Sequence, residues 1–141
     1  MGTQECGTSC AICKYIEKSD TFQDVKGNKY VMNDHIDCKS SNIIYGIRCQ
    51  QCCELIYVGE TGVTLFERFQ NHISSIKNRH NQPIPNHFNS ENHGVGDLRI
   101  LGIEKVKQNN IFLRKSRETF WIKKLDTLTP AGLNMNEGLG D

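Results

Sequence analysis

The sequence predicts a small α+β domain: a three-stranded antiparallel sheet flanked by helices, preceded by a segment stabilised by zinc. Three observations predict it. Two apolar runs, Ile43-Ile44-Tyr45 and Tyr57-Val58-Gly59, lie close enough in sequence to pair as a hairpin. Two stretches of helical periodicity follow, with a strand-like run between them. All seven cysteines fall before residue 54, most of them at metal-ligand spacing.

A chain of 141 residues can form one domain with a small appendage, but not two full cores. Residues 1–40 carry few large apolar side chains and read as a Cys-rich segment with one hairpin-like stretch, Phe22 to Met32, turning at Gly27-Asn28. Asn42 to Arg48 is the first long strand, with Ile43, Tyr45 and Ile47 on one face and Ile44 on the other. Cys49-Gln50-Gln51-Cys52 makes a tight turn, and Leu55 to Gly59 returns antiparallel, bringing the two tyrosines near each other. Glu60-Thr61-Gly62 ends the strand. Thr64 and Glu67 form a capping box that opens a helix to about Asn78, with Leu65, Phe69, Ile73 and Ile76 as its apolar stripe. Arg68 and His72, four apart, share a face at the edge of that stripe.

Pro83 and Pro85 punctuate a loop, followed by a short helical turn at Asn86 to Ser90. A third strand, Leu98 to Val106, and a second helix, from about Asn109 to Leu125, come next. Pro130-Ala131-Gly132 then turns the chain into Leu133-Asn134. The expected organisation is a zinc-binding segment at 1–40, an α+β domain at 41–136 and a polar tail at 137–141.

No apolar run approaches membrane length, and the polar start Met1-Gly2-Thr3-Gln4-Glu5 lacks the features of a signal peptide. An odd number of cysteines without such a signal predicts an intracellular chain that binds zinc rather than one held by disulfides. Net charge is only +1, but Arg99, Lys105, Lys107, Arg114, Lys115, Arg117, Lys123 and Lys124 face only Glu104 and Glu118 within their stretch. Such a stretch can hold phosphates, or be a solvated face with no partner.

Cys49 and Cys52 have knuckle spacing, and His87 and His93 have the spacing of a ligand pair. The long gap between the pairs excludes an ordinary DNA-reading finger. It predicts instead a site that staples the hairpin turn to the loop after the first helix. Cys53 is left over and reads as an inert small hydrophobe. Cys6, Cys10 and Cys13 form a second group, with Cys38 as fourth ligand and His35 as the alternative. Both zincs would be structural, and the site of Cys6, Cys10 and Cys13 would supply the folding energy that residues 1–40 lack.

Two phenols (Tyr45, Tyr57), a guanidinium (Arg68), an imidazole (His72), a carboxylate (Glu118) and an amide (Asn134) are the parts for cutting a phosphodiester. That chemistry needs a base for the water, a charge clamp for the phosphate and help for the leaving oxygen. Each residue also has an ordinary reading: Glu118 as a helix glutamate paired with Arg114, Arg68 and His72 as surface residues, the tyrosines as strand formers, Asn134 as a turn residue. Their order changes the balance.

That order resembles the GIY-YIG endonuclease family over about Asn42 to Asn134, with Ile43 where the first motif begins with glycine and Tyr57-Val58-Gly59 as the second motif. Asn42-Ile43-Ile44-Tyr45, the Cys-x2-Cys turn, Tyr57-Val58-Gly59-Glu60-Thr61-Gly62, Asn86-His87-Phe88-Asn89-Ser90 with His93, Ser116 to Ile122, and Pro130 to Asn134 resemble the endonuclease domain of Penelope-like retroelements in particular.

The resemblance implies a fragment of a larger polyprotein, joined to a reverse transcriptase, nicking DNA in the nucleus to provide a primer, with element RNA as a further partner. It implies one catalytic Mg²⁺ or Mn²⁺ held by Glu118 and zinc held by Cys49, Cys52, His87 and His93. Tyr45 would activate the water and Tyr57 would orient water or phosphate, roles the two tyrosines could exchange, while His72 would assist, Arg68 would stabilise the transition state and Asn134 would position its neighbours. His80 is a secondary candidate. A zinc-stabilised DNA-binding module without activity, or an adaptor domain, is the competing reading.

Overall fold

The computed structural model describes residues 1–136, so the tail expected at 137–141 lies outside the described residues. The first forty residues carry four short strands: β1 (Gly2–Thr3), β2 (Thr21–Gln23), β3 (Lys29–Val31) and β4 (His35–Ile36). β2 and β3 are the antiparallel hairpin expected around Gly27-Asn28, while β1 runs parallel to β4.

The main sheet follows. Its strands β5 (Ile43–Cys49), β6 (Glu54–Thr61) and β7 (Leu98–Lys105) lie in the order β6-β5-β7, all antiparallel. Central β5 is buried on both sides: Ile43, Tyr45 and Ile47 face one core and Ile44 the other, as period-2 alternation requires. Helices α1 (Leu65–Lys77), α2 (Pro83–Phe88) and α3 (Ile111–Leu125) cover the sheet, with α3 on the Ile44 side. No helix among the described residues is long and apolar enough to cross a membrane.

Local chemistry sets the boundaries. Thr64 Oγ1 accepts from Glu67 N at 3.1 Å to open α1, and Asn110 Oδ1 accepts from Phe112 N at 2.8 Å to open α3. β6 runs two residues past Gly59, because Glu60 and Thr61 still pair with Ile44 and Ile43. The two prolines belong to a helix rather than a loop. Pro83 opens α2, where its missing N–H would have had no partner in any case. In α1, His72 is buried while Ile73 is only half-buried.

Residues 1–40 do not stand apart from the sheet. Ile12, Tyr15, Ile16 and Ile36 share one core with Tyr45, Phe69 and Ile100, and Phe22 and Met32 enter the core on the other face. Glu17 N donates to Ile100 O at 2.9 Å, and Gly102 N donates to Thr3 Oγ1 at 2.9 Å, so the segment covers the outer edge of β7. Covering an edge in this way removes a row of unpaired backbone groups. A side chain at Gly102 would meet Ile36 Cγ2 at 2.5 Å, so glycine is required for that contact.

Candidate active site and metal centres

A cavity of about 410 Å³ opens between the β6 face and the three helices, and its wall includes Tyr57, Glu60, Arg68, His72, Lys115, Glu118 and Asn134. Of the six residues expected to carry catalysis, five line it. The sixth, Tyr45, lies directly behind.

β6 brings the tyrosines together through a bulge. Ile47 pairs with Tyr57 and Arg48 with Leu55, leaving Ile56 as the extra residue, which lets Ile56 and Tyr57 both pack on the Tyr45 side. The two phenol rings stand 6.5 Å apart, centroid to centroid. Gly59 lies opposite Tyr45, and a Cβ there would sit 2.4 Å from the Tyr45 hydroxyl. The glycine of Tyr57-Val58-Gly59 is therefore the space that the Tyr45 phenol occupies.

Tyr45 is 0 % exposed. Its hydroxyl accepts from Arg68 Nε at 3.1 Å and lies 2.8 Å from His72 Nε2. Burial pushes its pKa well above the phenol range, further than the neighbouring Arg68 can lower it. A buried phenol held in its neutral form, with its oxygen engaged by two neighbours, is poorly placed to take a proton from water. Tyr45 ties Arg68 and His72 together from behind, and Tyr57 is the phenol at the cavity wall, a placement that favours the exchanged roles of the two tyrosines. Burial, with Arg68 adding to it, drives His72 down to about 3, so its imidazole is neutral at neutral pH.

Glu118, on the second turn of α3, is 5 % exposed, with Lys115 Nζ 3.8 Å from its Oε1. It does not take Arg114 as its ion-pair partner. Arg114 reaches Glu60 Oε2 at 2.8 Å and also donates to Asn42 Oδ1 and Asn109 Oδ1. Asn134 is anchored through its whole amide: Oδ1 accepts from Val58 N at 2.9 Å and Thr127 Oγ1 at 2.7 Å, and Nδ2 donates to Val58 O at 2.9 Å. It fastens the closing segment to β6 beside the cavity. His80 is exposed and does not line the cavity.

Sequence reading missed Glu60, taken as a strand breaker, and Lys115, taken only as part of a basic stretch. Glu60 meets Arg114, 54 residues on, and Lys115 beside it, so no local pattern marks that contact. The basic stretch itself is divided, because Arg114 pairs with Glu60 and Arg117 with Glu104.

Two clusters of metal-ligating groups stand away from this cavity. Cys6, Cys10, Cys13 and Cys38 form one, and Cys49, Cys52, His87 and His93 the other, each with all ligand atoms within 4.8 Å of one another. In the first, Cys13 Sγ is 3.6, 3.5 and 3.7 Å from the sulfurs of Cys6, Cys10 and Cys38. A tetrahedral zinc with Zn–S near 2.3 Å sets its sulfurs about 3.8 Å apart, so this spacing suits the ion. In the second, Cys52 Sγ lies 3.7 Å from His87 Nε2 and 3.4 Å from His93 Nε2. His93 Nδ1 lies 3.0 Å from Glu91 O, a contact that leaves Nε2 for a metal.

Both clusters could hold a structural zinc, the second joining the β5–β6 turn to α2 and the loop after it. His35 is outside the first cluster and pairs with Asp37. Cys53 is exposed, at a φ of 60°, rather than buried as a small hydrophobe.

No known family model, curated protein or solved structure matches this chain.

Proposed function

We propose that the chain is a divalent-metal-dependent DNA endonuclease that nicks target DNA and leaves a 3′-hydroxyl from which a reverse transcriptase can extend. The observation that carries this reading is convergence. Tyr57, Arg68, His72 and Glu118 come from a strand and two helices and line one cavity, with Tyr45 locking two of them from behind.

Glu118 is a nearly buried carboxylate at the cavity wall, which fits a ligand for Mg²⁺ or Mn²⁺. Bound there, the ion would offset charge on the phosphate and the leaving oxygen. Arg68 is held at its Nε by Tyr45, so its terminal nitrogens are directed to bind phosphate oxygens in a fixed orientation. Tyr57 takes the place at the water that was first expected of Tyr45. Neutral His72, beside it, relays a proton, releasing one as it takes one up, so the site gains no charge. The retroelement resemblance of the motifs supports DNA as substrate, a reverse transcriptase of the same polyprotein and element RNA as partners, and a nuclear place of action.

The test is nicking of supercoiled plasmid in Mg²⁺ or Mn²⁺, followed by polymerase extension from the nick with labelled nucleotides. Wild type should nick and give extendable ends, and Glu118→Ala should do neither. Cleavage that survives Glu118→Ala refutes the ligand assignment. A folded, inert wild type would favour the DNA-binding module instead.

A further inference from the structure

We infer that Lys115 is a tethered cation that competes with the divalent metal for Glu118 and, kept in place by Glu60 once the metal is bound, contacts the scissile phosphate. The inference rests on the endonuclease reading. Lys115 and Glu118 are three apart on α3, which puts both on the cavity side of the helix. The Lys115 ammonium lies 3.8 Å from Glu118 Oε1 and 3.6 Å from Glu60 Oε1, between two carboxylates with side chains only 7 % and 13 % exposed.

The two acids are not equivalent. Glu60 is fixed from its other oxygen by Arg114, which Asn42 and Asn109 hold in turn. Its charge is already matched by a permanent cation, so Glu60 is an anchor for Lys115 rather than a second metal ligand. An ammonium has three donors on a flexible stem. Held by Glu60 alone, Lys115 keeps donors available for a phosphate oxygen in the cavity that it lines with Arg68.

The competition is read by titrating Mn²⁺ into the zinc-loaded chain without DNA, followed by electron paramagnetic resonance. Wild type, Lys115→Met, Lys115→Arg and Glu118→Gln are compared at equal zinc content and equal circular dichroism. Removing a positive charge about 4 Å from the ligand carboxylate should tighten Mn²⁺ binding on the order of fivefold in Lys115→Met. Lys115→Arg should bind as wild type does, and Glu118→Gln should lose the site.

At saturating Mn²⁺, Lys115→Met should nevertheless nick DNA at least about tenfold more slowly, since it lacks the phosphate contact. Unchanged or weaker Mn²⁺ binding in folded Lys115→Met overturns the competition, and full-speed nicking overturns the phosphate contact. If Lys115→Met tightens Mn²⁺ binding while wild type never nicks, the competition stands and the endonuclease reading fails, and the scissile-phosphate contact with it. Mn²⁺ binding untouched by Glu118→Gln overturns both.

Discussion

At the scale of single residues, the two tyrosines divide the work by burial. Tyr45 packs against Phe69, and its hydroxyl accepts from Arg68 Nε and lies against His72 Nε2, whereas Tyr57 borders the cavity. Tyr45→Phe should therefore cost stability as well as activity, by roughly 1–3 kcal/mol, because buried His72 and half-buried Arg68 lose a partner. Tyr57→Phe should abolish most nicking with a smaller change in the urea midpoint. Paired denaturation and single-turnover assays read the split.

His72 adds a pH dependence. Its folded-state pKa is about 3, against 6.5 ordinarily, so the unfolded chain takes up a proton first as pH falls. Its contribution is complete above pH about 6.5 and is lost towards pH 3. Zinc ligation is also acid-sensitive, so the measurement is the difference between wild type and His72→Gln across that window. Wild type should lose stability more steeply. Glu60 and Lys115 were illegible at this scale, since their roles arise only when β6 and α3 meet. The buried state of Tyr45 was equally hidden, because a strand tyrosine has the same sequence signature at a core and at a cavity wall.

At the scale of elements, the Cys and His spacings were legible because they are those that let two side chains reach one tetrahedral metal. The helix start at Pro83 was not, since proline marks both loops and first turns. The two zinc clusters should fail separately. Cys52→Ser should reduce zinc from about two per chain to about one and loosen the β5–β6 turn and α2. Cys13→Ser, which removes the sulfur in contact with three others, should instead expose the segment over β7. Hydrogen exchange locates each effect, with Glu17 and Gly102 amides as reporters for the second. Loss of protection across the whole chain in both variants would contradict two local staples.

At the scale of the molecule, the three-stranded antiparallel sheet and its flanking helices followed from periodicity and short connections. The integration of residues 1–40 did not, because the shared core involves isolated apolar residues such as Ile12, Ile16 and Ile36 that form no run. Deleting residues 1–40 should uncover the β7 edge and part of both cores, giving an aggregating product. A soluble, monomeric and cooperatively folding fragment would show that the segment is dispensable.

The central claim is that this shared core positions a phosphodiester-cleaving site. Its most direct test is conversion of supercoiled plasmid to open circles by zinc-loaded wild type, Arg68→Ala and Glu118→Ala in Mn²⁺. Open circles with wild type, and a loss of at least about a hundredfold in each variant, are predicted. Equal nicking by all three proteins would contradict the account.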